Sequence, residues 1–308
     1  MPYKDQFRRA IGAYLGTKRH LSPETQYQER RWLLKAAELL DGKNPKDLTV
    51  GQLCWFETQV PGGVDNRKNH CYALSRLLKW LGNPVVNQWV IQSRPTPKVD
   101  GTFLNEREVA YLRGSVRSAG PLHELIYSLG VDNGLRAVGM CRLTVDQGNA
   151  LLRSGRGTVL GKGRNGGKPR LLPMSEMTFQ PLTEYLVLRR QLLETYGPTQ
   201  TDRLLIFRNF QTGRLQTMTH DHIYWRMKPL FESVGYGHLT VHDLRRTFGN
   251  RHWKAGTPIE TIAKLMGHES VNQTFRAYIG IQFGDMQNAQ ENLSRVAKMN
   301  PSSHVQSP

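Results

Sequence analysis

The segment VHDLRRTFGNRHW, Val241 to Trp253, gathers two histidines and three arginines around a single carboxylate, interleaved with leucine, phenylalanine and tryptophan. Thr240 precedes the apolar run and Asp243 stands three residues on, the signature of a helix start. His242 and Arg245 then share a face at i and i+3, while Leu244, Phe248 and Trp253 serve a buried side. An arginine in the first turns of a helix offers an anion site, because its planar fork binds two phosphate oxygens at once. A second helix follows, with Thr257 as cap, Pro258 at its opening, Glu260 completing the box and Gly267 ending it. His268 comes at once, and Tyr278 ten residues later. Upstream, Arg136 sits in NGLRAVGMCRL, where a guanidinium among apolar residues needs a partner. Lys162 sits in the glycine-flanked turn GKGRNGGKPR, from which a lysine can reach into a groove. Each has an ordinary alternative: a solvated helix face, a half-buried packing tyrosine, an exposed turn lysine.

As a set these residues supply cations, proton carriers and an oxygen nucleophile, which suits phosphoryl transfer without a metal or other cofactor. Two arginines neutralise the non-bridging oxygens of a phosphorane-like state. A lysine protonates the leaving 5′-oxygen, and a tyrosine attacks and holds the phosphate covalently. That bond conserves the energy of the broken phosphodiester, so rejoining needs no ATP. The glycine-rich turn is not a nucleotide-binding GxxxxGK[ST] loop, since Lys162 stands where its first glycine should and Pro169 follows Lys168. His220 and His222 lack the neighbouring carboxylates or cysteines of a metal site and read as polar surface.

The elements that must position these groups are mostly helical. Residues 1–20 read as a basic lead-in. Ser22 and Pro23 open a helix that Gly42 stops, with Trp32, Leu33, Ala36, Leu39 and Leu40 on one face. LTVGQLCWFETQV gives another, with Thr49 and Gln52 as a capping box. A third carries the stripe Leu74, Leu77, Leu78 and Leu81 and ends at Gly82. We therefore place a helical domain at 1–91, a proline-rich linker at 92–103, a larger domain at 104–290 and a partly disordered tail at 291–308. Within the larger domain, Thr158–Leu160 and Arg170–Pro173 flank the glycine-rich turn as a β-hairpin. Lysine and arginine outnumber aspartate and glutamate 42 to 25, a formal charge of +17 that points to a nucleic-acid partner. Three cysteines without a CxxC pair, no signal-peptide core and no membrane-length apolar run predict a reducing, cytosolic setting.

In this order the boxes resemble the tyrosine recombinase, or phage integrase, family. GLR at 134–136 is similar to its first arginine box, GKG at 161–163 to its hairpin lysine, and HDLRRTF at 242–248 to its HxLRxTF box. LMGHES at 265–270 and TFRAY at 274–278 are similar to the histidine and nucleophile segments, and the likeness runs over about 104–285. The resemblance implies a mainly α fold with a small β-hairpin in the catalytic domain, two domains clamping duplex DNA. It implies Arg136 and Arg245 on the scissile phosphate, Lys162 as general acid, His242 and His268 as hydrogen-bonding and proton-transfer groups, and Tyr278 as nucleophile. The product would be a 3′-phosphotyrosyl link. Four protomers would exchange strands through a Holliday junction, with QFGDMQNAQENLSRVAKM docking on a neighbour and accessory DNA-bending proteins as further partners. The setting would be the prokaryotic cytoplasm and nucleoid, and the source a mobile element or virus. Three departures stand out. Gly139 occupies a place where the family carries Glu or Asp; a longer hairpin makes Lys168 a rival to Lys162; and the His268–Tyr278 interval is ten where nine is common. A catalytically silent DNA-binding relative and a monomeric relaxing topoisomerase are the alternatives.

Overall fold

The computed structural model describes residues 2–41, 43–92, 103–161, 169–268, 270–272 and 274. Two compact units divide the chain, Met1–Val99 and Asp100–Pro308. Apart from its end residues, the expected linker lies outside the described residues, as do Gly42, the tail and the segment that follows Tyr278.

The first unit is helical: α1 (Pro2–Gly16), α2 (Pro23–Leu39), α3 (Val50–Gln59) and α4 (Val64–Trp80). Ser22 caps α2 and Thr49 with Gln52 forms the capping box of α3, as their spacing predicts. The basic lead-in needs correcting, because it is a core helix. Phe7, Ile11 and Tyr14 repeat at helical spacing and are buried with Leu33, Ala36, Leu74 and Leu77. The Tyr14 hydroxyl donates to Glu29 Oε1 (2.9 Å), and Arg76 Nε donates to the same oxygen (2.9 Å), so the buried carboxylate is paired.

The second unit is built around one helix. After α5 (Glu106–Ser118) comes α6 (Pro121–Val131), whose last turns are mostly apolar and buried on every side, with Ser128 accepting from Arg113 (3.1 Å). There follow α7 (Ala137–Arg142), α8 (Val145–Ser154) and the antiparallel strands β1 (Arg156–Leu160) and β2 (Pro169–Pro173), which set Val159 opposite Arg170. Then come α9 (Phe179–Tyr196), a second two-stranded ribbon of β3 (Ile206–Arg208) and β4 (Leu215–Thr217), and α10 (His220–Ser233). Three-residue strands are too short for a period-two signal, which is why β3 and β4 were not anticipated.

The site elements are α11 (Val241–Lys254) and α12 (Ile259–Met266). α11 lies along α6 at Gly130, where a Cβ would come within 2.9 Å of Leu244 Cβ. The Asp243 carboxylate accepts from the Thr240 N–H (2.9 Å) and hydroxyl (2.6 Å), closing the helix start read from the sequence. The expected cap of α12 is not formed. Pro258 holds the cap position, and the Thr257 hydroxyl that would have capped is engaged instead with His252 Nδ1 (3.2 Å) at the end of α11.

Candidate active site

The cationic crowding of α11 separates into distinct uses. Arg246 pairs with Asp243 (2.8 Å), and Arg251 pairs with Glu106 (2.7 Å) and Asp132 (3.4 Å). Arg245 alone turns inward and is only 1% exposed. Its guanidinium donates to Gly134 O, to Met266 O (2.6 Å) and to His268 Nε2 (2.7 Å). One side chain thus joins α11, the loop before α7 and the end of α12. A guanidinium has no lone pair to offer, so His268 accepts at Nε2 and carries its proton on Nδ1, which donates to the buried Thr274 Oγ1 (2.6 Å). His268 is therefore a neutral imidazole of defined tautomer.

Gly134 is fixed by two demands. Its φ of +61° lies in the left-handed region, and a Cβ would stand 2.5 Å from Phe248 Cδ1. The glycine of the GLR box thereby lets the chain pass over α11 and aim a carbonyl at Arg245. Two residues later, Arg136 is half-buried, and its guanidinium makes no hydrogen bond or ion pair among the described residues. It lines a small pocket with Leu135, Gly139, Leu160, Arg170 and Arg245. No carboxylate lines that pocket among the described residues. At Gly139 a Cβ would meet nothing closer than Leu135 Cδ2 at 3.7 Å, so the backbone there has room for a Cβ.

The electrostatics follow from three arginines around one cavity. His242 is solvent-exposed in part, and partial desolvation, then Arg246 and Arg245, push it down to about 4. Desolvation, then Arg245 and Arg136, push His268 down to about 3. Both imidazoles are neutral at pH 7, and an entering anion would offset the arginines and make them stronger bases.

Of the six residues singled out from the sequence, Arg136, His242, Arg245 and His268 stand together in this cationic neighbourhood. Lys162, its rival Lys168 and Tyr278 lie outside the described residues. Sequence reasoning missed Arg170. The strand alternates, with Leu171 65% exposed and Leu172 2% exposed, so Arg170 shares the inward face with Leu172. That alternation was present in PRLLP, but the arginine was read only as a strand end.

The chain belongs to the phage integrase family, whose sequence model matches residues 103–284. Among curated proteins it is 32% identical over 152 residues to the tyrosine recombinase XerD of Shewanella oneidensis, covering 49% of this chain and 45% of that protein. It thus spans about half the length of these curated relatives. Its fold is similar to that of the Tn1549 transposon integrase in complex with circular intermediate DNA, with a TM-score of 0.72 at 13% identity over 92% of this chain and 99% of that one. It is also similar to a lambda integrase tetramer bound to a Holliday junction, with a TM-score of 0.65 at 14% identity over 91% and 79% of the two chains.

Proposed function

We propose that this protein is a site-specific DNA recombinase that cleaves and rejoins DNA through a 3′-phosphotyrosyl intermediate, without metal or ATP. The observation that carries the reading is the pocket in which Arg136, Arg170 and Arg245 converge beside two neutral histidines. Such a cluster of guanidiniums suits the oxygens of one anionic phosphate. Arg136 brings a guanidinium with no partner among the described residues, and Arg245 an oriented one. The Tyr278 oxygen attacks phosphorus, the bond to the 5′-oxygen breaks, and that oxygen takes a proton from Lys162 or Lys168. His242 accepts the phenol proton, its basicity raised by the bound phosphate, while His268 stays hydrogen-bonded to Arg245. Family membership and the net charge of +17 support duplex DNA as the partner. Residues 1–91 would clamp the duplex together with the catalytic domain at 104–290. Assembly as a tetramer that passes through a Holliday junction, in a bacterial cytoplasm, completes the proposal. Its test is a denaturing-gel assay for covalent protein–DNA adducts on nicked suicide substrates. Wild type should form the adduct and Tyr278→Phe should bind without forming it. Binding without an adduct from wild type would favour a silent DNA-binding relative.

A further inference from the structure

Among the described residues, Arg170 is the one cation of the pocket to which neither the family boxes nor the proposed steps assign a role. It stands on β2 opposite Val159, and its Nη1 donates to Leu265 O at the end of α12. Arg245, reaching from α11, donates to the next carbonyl, Met266 O (2.6 Å). Two guanidiniums from two different elements thus hold successive carbonyls of one helix end. Those carbonyls have no partner within the helix, and a helix C-terminus favours positive charge. The turn that follows is closed by Gly267 at φ +63°, with the His268 N–H donating to Ala263 O (2.9 Å). The same glycine makes room for the arginine, since a Cβ at 267 would stand 2.6 Å from Arg170 Cδ. Placing Arg170 here is costly. Burial, then Arg245 and Arg136, push it down to about 9. An apolar side chain would fill the space without that repulsion, but it could not grip Leu265.

We infer that Arg170 is a positioning residue that bolts the β1–β2 hairpin to the end of α12 and so holds His268 on Arg245. The bolt has a structural consequence that can be read without DNA. Only its kinetic consequence rests on the recombinase reading. Arg170→Ala should speed amide exchange in residues 259–268 by about tenfold or more, the effect of losing one hydrogen bond from a charged donor. Exchange in α9 should be unchanged, and Arg170→Lys, which keeps a donor, should recover most of the protection. On suicide substrates, Arg170→Ala and His268→Ala should each slow adduct formation, and the double variant should be no slower than His268→Ala within about threefold. A merely structural role would leave the two losses additive. Unchanged exchange at 259–268, or additive losses, overturns the inference. Should Arg170→Ala not fold, Gly267→Ala displaces the arginine stem and serves in both measurements. Absence of any wild-type adduct would overturn the recombinase reading alone, because the exchange result would still decide the bolt.

Discussion

Replacing Gly134 by alanine perturbs the site through one methyl group. An L-residue held at φ +61° costs about 1–2 kcal/mol. The new Cβ would also stand 2.5 Å from Phe248 Cδ1, on a helix anchored by a buried leucine, so α11 or the loop must move. Overpacking of that kind costs about 1–3 kcal/mol, for a total of about 2–5 kcal/mol. Gly213→Ala is the matched control, because Gly213 has φ +69° and open space around it. It should lose only the backbone cost, about 1–2 kcal/mol. The difference, about 1–3 kcal/mol, isolates the contact with Phe248. Urea unfolding read through amide exchange in α6 and α11 measures both variants. Since Gly134 O accepts from Arg245, a shift of the loop by about 1 Å should also slow adduct formation by about 100-fold. Gly213→Ala should react at the wild-type rate. Equal destabilisation of the two variants would refute the reasoning, because the steric term would then be absent.

The pH dependence of stability has a definite sign. His268 is held at about 3 against an ordinary 6.5, so the unfolded chain takes up the proton first. Its contribution is complete above 6.5 and is lost as pH falls from there toward the folded value. His268→Asn should therefore flatten the acid side of the stability curve, and an unchanged slope in denaturation at pH 7, 6 and 5 would count against the neutral imidazole. The choice between Lys162 and Lys168 is a question of leaving-group chemistry. The alanine variant of the true acid should lose about 100-fold or more on an ordinary substrate and recover on a 5′-thio one, which needs no proton.

Much of this arrangement was legible because it rests on local rules. The start of α11 follows from Thr240 and Asp243, and the shared face of His242 and Arg245 from helical spacing. Other features depend on packing that spacing does not encode. In α1 the stripe of Phe7, Ile11 and Tyr14 was hidden among charges, and only the core it meets shows that the segment is structural. Thr257 has the residue type of a helix cap, but His252 at the end of α11 engages its hydroxyl. Arg170 acquires meaning only when β2 is brought against α12, nearly a hundred residues on in the chain.

The central claim is that Arg136 neutralises the scissile phosphate, and neutral phosphate chemistry tests it most directly. A methylphosphonate at the cleavage position replaces one charged non-bridging oxygen with a methyl group. Arg136→Ala should lose about 100-fold or more in adduct formation on the ordinary phosphate, the scale of one removed transition-state contact. On the methylphosphonate it should approach the wild-type rate, because the charge it no longer neutralises is gone. A variant equally impaired on both substrates would contradict the account, and Arg136 would then act somewhere other than on the phosphate.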